Sequence, residues 1–305
     1  MNMHHNFTYA ESLAASERVN WRIEDLIGPD KTLDFSKPFM PDALARVQSM
    51  DYLSPREKLI LNQIRGHNYL YLFGLVEEFI LPFVLDHARP HLQGDDYRVR
   101  AFLNFASEEA KHIHLFKRFR EEFEKGFGIA CDVIGPPEEI AKAVLAHDPL
   151  SVALVILHIE WMTQRHYVDS IKDNGDLDPQ FKSLLKHHWM EEAQHAKLDT
   201  LMVETIAKDR DADSIAKAID GYLEIGMLLD GGLKQQTIFD VDAFCRAAQR
   251  RLDAEELEAF VNHQHQAMRW TFLGTGMGHR RFLQTVESLA PAQRTRLEGI
   301  VPAFS

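Results

Sequence analysis

Apolar residues recur along this chain in steps of three and four over long segments, and no segment alternates with the period of two that a half-buried strand requires. Prolines and glycines fall between these segments, in clusters at 38–41, 90–94, 126–137 and 174–179 and at Gly231 and Gly232. The pattern predicts helices over 55–89, 96–125, 138–147, 150–173, 178–208, 213–230, 241–250 and 254–288, and hence an all-α fold.

Two of the apolar stripes are interrupted by groups that titrate. On the 96–125 helix the stripe runs Phe102, Phe105, Glu109, His112, Phe116, Phe119, all on one face. On the 178–208 helix it runs Phe181, Leu185, His188, Glu192, His195, Asp199, Met202, Ile206. A carboxylate or imidazole buried without a partner costs several kcal/mol, so these faces need charges of the opposite sign. Lys111, Lys117, Arg118 and Lys197 lie off the stripes, which leaves a bound cation as the simplest neutraliser.

Glu109-x-x-His112 and Glu192-x-x-His195 each hold a carboxylate and an imidazole about 60° apart around a helix, close enough to chelate one ion. One such pair occurs readily by chance. Two pairs, each preceded about thirty residues earlier by an apolar helix with an inward glutamate, are far more specific. Glu160, on a face with Ala153, Ile156, Thr163 and Tyr167, precedes Glu192 by 32 residues. Glu77 or Glu78 stands in the same relation to Glu109, and adjacent helix positions diverge by about 100°, so only one of them can face inward. Glu77 is favoured by a shift of 83 residues, which carries 77, 109 and 112 onto 160, 192 and 195, but Glu78 has a comparable face.

This is the ligand arrangement of di-metal carboxylate bundles, one Glu from each of two helices and Glu-x-x-His from each of the other two. Oxygen donors with imidazoles suit iron or manganese. The alternative, a polar core without metal, must satisfy four acids with no cation. His188, one turn before Glu192, is placed to add a third imidazole. Glu108 and Glu191, each beside a proposed ligand, are placed to accept the free N–H of the opposite helix's histidine, Glu108 from His195 and Glu191 from His112; solvated surface acids are the alternative. Asp199 is a further outer candidate. The remaining histidines His87, His91, His114, His147, His158, His187, His263, His265 and His279 lack such a stripe and are expected to be structural or exposed.

Composition narrows the partners. The 305 residues include 45% hydrophobic and 10% aromatic residues, enough for a large core. A net charge of -12 with no basic patch argues against nucleic acid and anionic membranes. Cys131 and Cys245 lack a second thiol at ligand spacing, and the first twenty residues hold no apolar run of signal length, so a reducing, cytoplasmic setting is expected. The longest apolar stretches, 69–76 and 152–159, are each ended by a glutamate short of a membrane span.

The segments HHWMEEAQH and SEEAKH, with Glu160, resemble the ferritin-like di-iron oxygenases, and within them the AurF-type p-aminobenzoate N-oxygenases, whose distinguishing feature is an additional histidine ligand, here His188. The family typically has aspartate where this chain has Glu108 and Glu191. The resemblance covers roughly residues 55–208 and implies a ferritin-like four-helix di-metal bundle with extra N- and C-terminal helices. It implies an enzyme with two Fe ions, or Mn at one position, that uses dioxygen to oxidise a small organic substrate, by N-oxygenation of an aryl or alkyl amine. Such an enzyme needs an external electron donor. Carbon hydroxylation, and a ferroxidase or metal-binding protein without organic substrate, are the alternatives. One domain over 1–305 is expected, with the metal-binding core at about 55–208 and a helical extension at about 209–305 that walls the pocket or forms a homodimer surface. Phe102, Phe105, Phe116 and Trp161 are expected to keep water from the centre, and Arg269, Arg280 and Arg281 to lie at the surface or meet an acidic substrate.

Overall fold

The computed structural model describes residues 4–305, and among them helices and their connections account for the whole architecture. In chain order the helices are α1 Tyr9–Ser16, α2 Ile23–Leu26, α3 Asp42–Ala45, α4 Pro55–Ala88, α5 Asp96–Phe127, α6 Pro137–Leu145 and α7 Pro149–His166. They continue with α8 Pro179–Ala207, α9 Ala212–Ala248, α10 Ala254–Arg269, α11 Thr275–Met277, α12 Arg280–Leu289 and α13 Pro291–Ile300. Four of them, α4, α5, α7 and α8, form a ferritin-like bundle: α4 lies along α5, α7 along α8, and α5 meets α8.

Each of the four starts on a side chain that satisfies the first free amides. Ser54 and Glu57 cap α4 reciprocally, Asp95 caps α5, Asp148 caps α7 and Asp178 caps α8, with Pro55, Pro149 and Pro179 just inside. Asp178 also accepts from the amide of Asp34 at 3.0 Å, tying the N-terminal segment to the start of α8. Gly128, at φ 73°, ends α5 in a left-handed turn that a side chain would resist.

Helix α4 with its 3-10 extension, Pro55–His91, is apolar and long enough to cross a membrane by composition alone. Leu61 to Phe73 are buried without a break, because α5, α6 and α9 wrap this helix; the charges that end its apolar runs are not its boundaries. The predicted break at Gly231 and Gly232 is absent. One helix, α9, runs through both predicted segments, 213–230 and 241–250, as far as Ala248, and it packs on α4, α7 and α10 strongly enough to carry four glycines, Gly221, Gly226, Gly231 and Gly232, in its interior. Conversely, the predicted 254–288 helix is interrupted by a π-helical turn at Trp270–Gly274 and ends its run at Gly278 before α12 begins. A second π-helical turn, Tyr167–Ile171, follows α7. The short helices before residue 55 and the last helix, α13, carry too few turns for a period to be read from sequence.

Candidate metal centre

Helix periodicity turns the two Glu-x-x-His pairs inward, and α4 and α7 bring one glutamate each to meet them. Glu77, Glu109, His112, Glu160, His188, Glu192 and His195 are all at most 2% exposed, whereas Glu78 faces outward. Glu78 looks away because its neighbour has taken the inward face.

The donor atoms form two clusters, Glu77, His112, His188, Glu192 and Glu109, Glu160, Glu192, His195, each with all its donors within 4.8 Å of one another. Glu192 belongs to both. Its Oε1 lies 2.5 Å from His188 Nε2 and 3.2 Å from His112 Nδ1, and its Oε2 lies 2.8 Å from His195 Nδ1. Glu77 Oε1 is 3.3 Å from His188 Nε2 and 3.7 Å from His112 Nδ1. Glu109 Oε1 is 2.9 Å from His195 Nδ1 but lacks the alignment of a hydrogen bond.

The outer ring nitrogens are held from behind. His112 Nε2 is 2.8 Å from Glu191 and His195 Nε2 is 2.7 Å from Glu108, each carboxylate coming from the facing helix. Both imidazoles therefore present Nδ1 to the clusters. Two contacts beyond these came from residues whose sequence context gave no signal. Ser16 of α1 donates to Glu108 at 2.7 Å, and Trp21 stacks on His112 with planes 8° apart.

The donor set fits two cations on a specific ground: buried acceptors lack donors. Both oxygens of Glu109, Oε2 of Glu77, Oε2 of Glu160 and His112 Nδ1 are buried without a hydrogen-bond partner, and among the described residues no lysine or arginine pairs with either cluster. Burial, then Glu109 and Glu192, push Glu77 well above the usual carboxylate range; burial, then Glu192, do the same to Glu160. Burial also raises Glu192, but His188 and His195 beside it outweigh that and hold it well below the usual range. Burial lowers His112, yet Glu191 and Glu192 outweigh it and bring it up to about 9. Metal ions binding here would displace the protons these groups hold.

Asp199, also fully buried, leaves both oxygens unpaired one turn beyond His195, outside the two clusters. Phe105 stacks on His195 at 3.9 Å and Phe116 lies 5.0 Å from His188, so these two shield the imidazoles as expected. Phe102 and Trp161 do not: Phe102 shares the face of Glu109 but lies two turns before it and packs on Tyr9 and His87, while Trp161, adjacent to Glu160 and so turned about 100° away from it, packs on His279. Phe73, one turn before Glu77 on the same face, meets His188 edge-on at 5.3 Å.

Phe73 also opens onto a cavity of about 80 Å³ whose lining residues are all apolar, among them Leu72, Val76, Ile159, Met162 and Phe272. Ile159, Leu229, Phe272 and Leu273 line this chamber and also a larger outer cavity of about 540 Å³. Arg269 and Arg296 stand in the outer cavity already paired, with Asp230 at 3.2 Å and Asp220 at 2.7 Å. Arg280 and Arg281 are exposed elsewhere. Of the nine histidines set aside above, His114 is exposed, His158 is buried and the rest are half-buried, and none enters a cluster of metal-ligating groups.

No family model and no curated protein matches this chain. Among solved structures, the chain is similar to an R2-like ligand-binding oxidase with an aerobically reconstituted Mn/Fe cofactor, at 16% identity and TM-score 0.46 over 88% of this chain and 98% of that one. Variants of R2-like ligand-binding oxidase with an anaerobically reconstituted Mn/Fe cofactor and with an aerobically reconstituted Fe/Fe cofactor are similar at 17% identity and TM-score 0.46, each over 89% of this chain and 94% of that chain.

Proposed function

We propose that the chain is a di-metal oxidase that uses dioxygen to oxidise a small organic molecule. The observation that carries this is the pair of buried donor clusters joined through Glu192, with carboxylate oxygens left unpaired and no protein cation to neutralise them. Glu77, His112, His188 and Glu192 would hold one ion, and Glu109, Glu160, Glu192 and His195 the other. Two iron ions, or iron with manganese, held there would supply the redox chemistry that couples dioxygen to oxidation of a bound substrate.

The chain's own residues do the rest. Glu108 and Glu191 fix the tautomer of His195 and His112, so that the nitrogen without a proton faces the centre. Phe73, Phe105 and Phe116 replace water around the imidazoles with ring faces and edges. The apolar chamber behind Phe73 receives a body that carries no charge, since nothing in its wall could pair with one. An aryl or alkyl amine entering as the free base meets that requirement, which supports N-oxygenation, the activity the resemblance implies; carbon hydroxylation is served by the same chamber. The chamber also favours an oxidase with an organic substrate over a ferroxidase without one, which needs no such space. An external electron donor, a cytoplasmic setting and a homodimer complete the proposal.

The test is to load the purified chain anaerobically with ferrous ion, count metal by elemental analysis, then admit oxygen with and without a panel of amines. Two ions per chain and oxygen uptake coupled to an oxidised amine are expected. Uptake set by iron alone, with every amine recovered, would leave the ferroxidase reading; no bound metal would remove both.

A further inference from the structure

The two halves of the centre are related by a shift of 83 residues, which carries Glu108, Glu109 and His112 onto Glu191, Glu192 and His195. In each half a histidine donates Nε2–H to a carboxylate on the opposite helix, at 2.8 Å and 2.7 Å. What differs is the group on the far oxygen of that carboxylate. Glu191, which holds His112, receives the ammonium of Lys111; Glu108, which holds His195, receives only the hydroxyl of Ser16 at 2.7 Å. The residue 83 positions after Lys111 is Gln194, buried and uncharged.

Lys111 is fixed as well as charged. Its Nζ sits 3.8 Å from the centre of the Trp21 ring, and Trp21 in turn lies parallel to His112. The side chain is 25% exposed, so water screens its charge only in part.

A carboxylate that accepts an imidazole N–H makes the other ring nitrogen a stronger donor. An ammonium on the same carboxylate draws that electron density back. The carboxylates run the same way: the His112 cluster has Glu77 and the shared Glu192, while the His195 cluster has Glu109, Glu160 and the shared Glu192. We infer that Lys111 makes the two metal positions electrostatically unequal, acting through Glu191 so that the ion beside His112 and His188 is the more easily reduced of the two. Lys111 is thus a positioning residue for charge, and the inference rests on the di-metal reading above.

Potentiometric titration of the di-iron protein, followed by Mössbauer spectroscopy of the half-reduced sample, tests it. The wild-type protein should show two separate midpoints. Lys111→Met should move the upper midpoint to lower potential and leave the lower one in place, so that the pair draws together. Lys111→Gln, which keeps a donor for Glu191 without the charge, should behave as Met does, and Lys111→Arg should restore the wild-type separation. Two bound irons with unmoved midpoints in Lys111→Met and Lys111→Gln, or an equal shift of both, would overturn the inference and leave the di-metal reading standing. A wild-type chain that takes up no metal would overturn both.

Discussion

His195 gives its Nε2–H to Glu108, 2.7 Å away on the facing helix, and turns its Nδ1 to the buried cluster. Glu108 therefore fixes both the ring's orientation and its tautomer. Glu108→Ala should leave the helices intact and weaken metal binding about 10–100-fold, the usual cost of losing such a partner. Competition against a chelator of known affinity measures it, and unchanged affinity would mean that the pairing is incidental.

The neighbours Glu77 and Glu78 give a sharper contrast, because only Glu77 is buried against His188. Glu77→Ala should reduce bound metal below two ions per chain, while Glu78→Ala should retain both. Equal losses from the two substitutions would contradict the assignment.

Glu109 is buried with neither oxygen hydrogen-bonded, an arrangement that costs stability unless a cation is present. Ferrous ion at a hundredfold excess over its dissociation constant should add about 2.7 kcal/mol to the wild-type protein. Glu109→Gln should gain on the order of 1–3 kcal/mol as the metal-free protein, by removing a buried acid, and lose the part of the metal-dependent gain that comes from the ion beside His195. Thermal melts with and without metal read both effects; a variant whose gain from metal is undiminished would place Glu109 outside the ligand set.

Two buried histidines remote from the clusters contribute to the response to acid. Burial, with Arg120 beside it, lowers His67 to about 3, and burial lowers His166 to about 3. Each is locked as the neutral ring. His67 Nε2 accepts from Arg120 at 3.3 Å with Nδ1 towards Asn68, and His166 Nδ1 accepts from Tyr69 at 2.9 Å while Nε2 donates to Thr271 and Thr275. Their ordinary value is 6.5, so the unfolded chain binds the extra protons first. Stability from these two is full above about pH 6.5 and falls as pH drops from there towards 3, by ~1.4 kcal/mol per unit for each. Melting temperature should decline over that window, and His166→Gln should flatten the slope although it costs stability at neutral pH. An unchanged slope would show that His166 is not protonated on unfolding.

Leu229 lines both the inner chamber and the outer cavity. Leu229→Trp should narrow the passage, lowering substrate-coupled oxygen uptake several-fold while both metal ions remain. Loss of metal together with turnover would point instead to a folding defect.

Much of the centre was legible because a helix has a fixed pitch. Once Glu109, His112, His188, Glu192 and His195 fell on stripes with Phe105, Phe116 and Leu185, their common direction followed from the 3.6-residue repeat, whereas Glu108 and Glu191 could equally have been surface acids until the facing helix was seen. The pitch reads poorly where a helix is buried on every side. In α4 both Glu77 and Glu78 had an apolar face, and Gly231 and Gly232 looked like a break because the partners that hold α9 straight are distant in sequence.

By itself, then, the sequence determined the helical class and the common inward direction of the acids and imidazoles on their stripes, consequences of local periodicity. Only the tertiary structure decided which glutamate of α4 turns inward, that Ser16 and Trp21 close over the outer carboxylates, that Lys111 stands on one of them alone, and that Phe73 divides the centre from an apolar chamber. Those meetings join residues tens to hundreds of positions apart, and they depend on how helix faces and connecting segments pack, which no repeat within a single segment encodes.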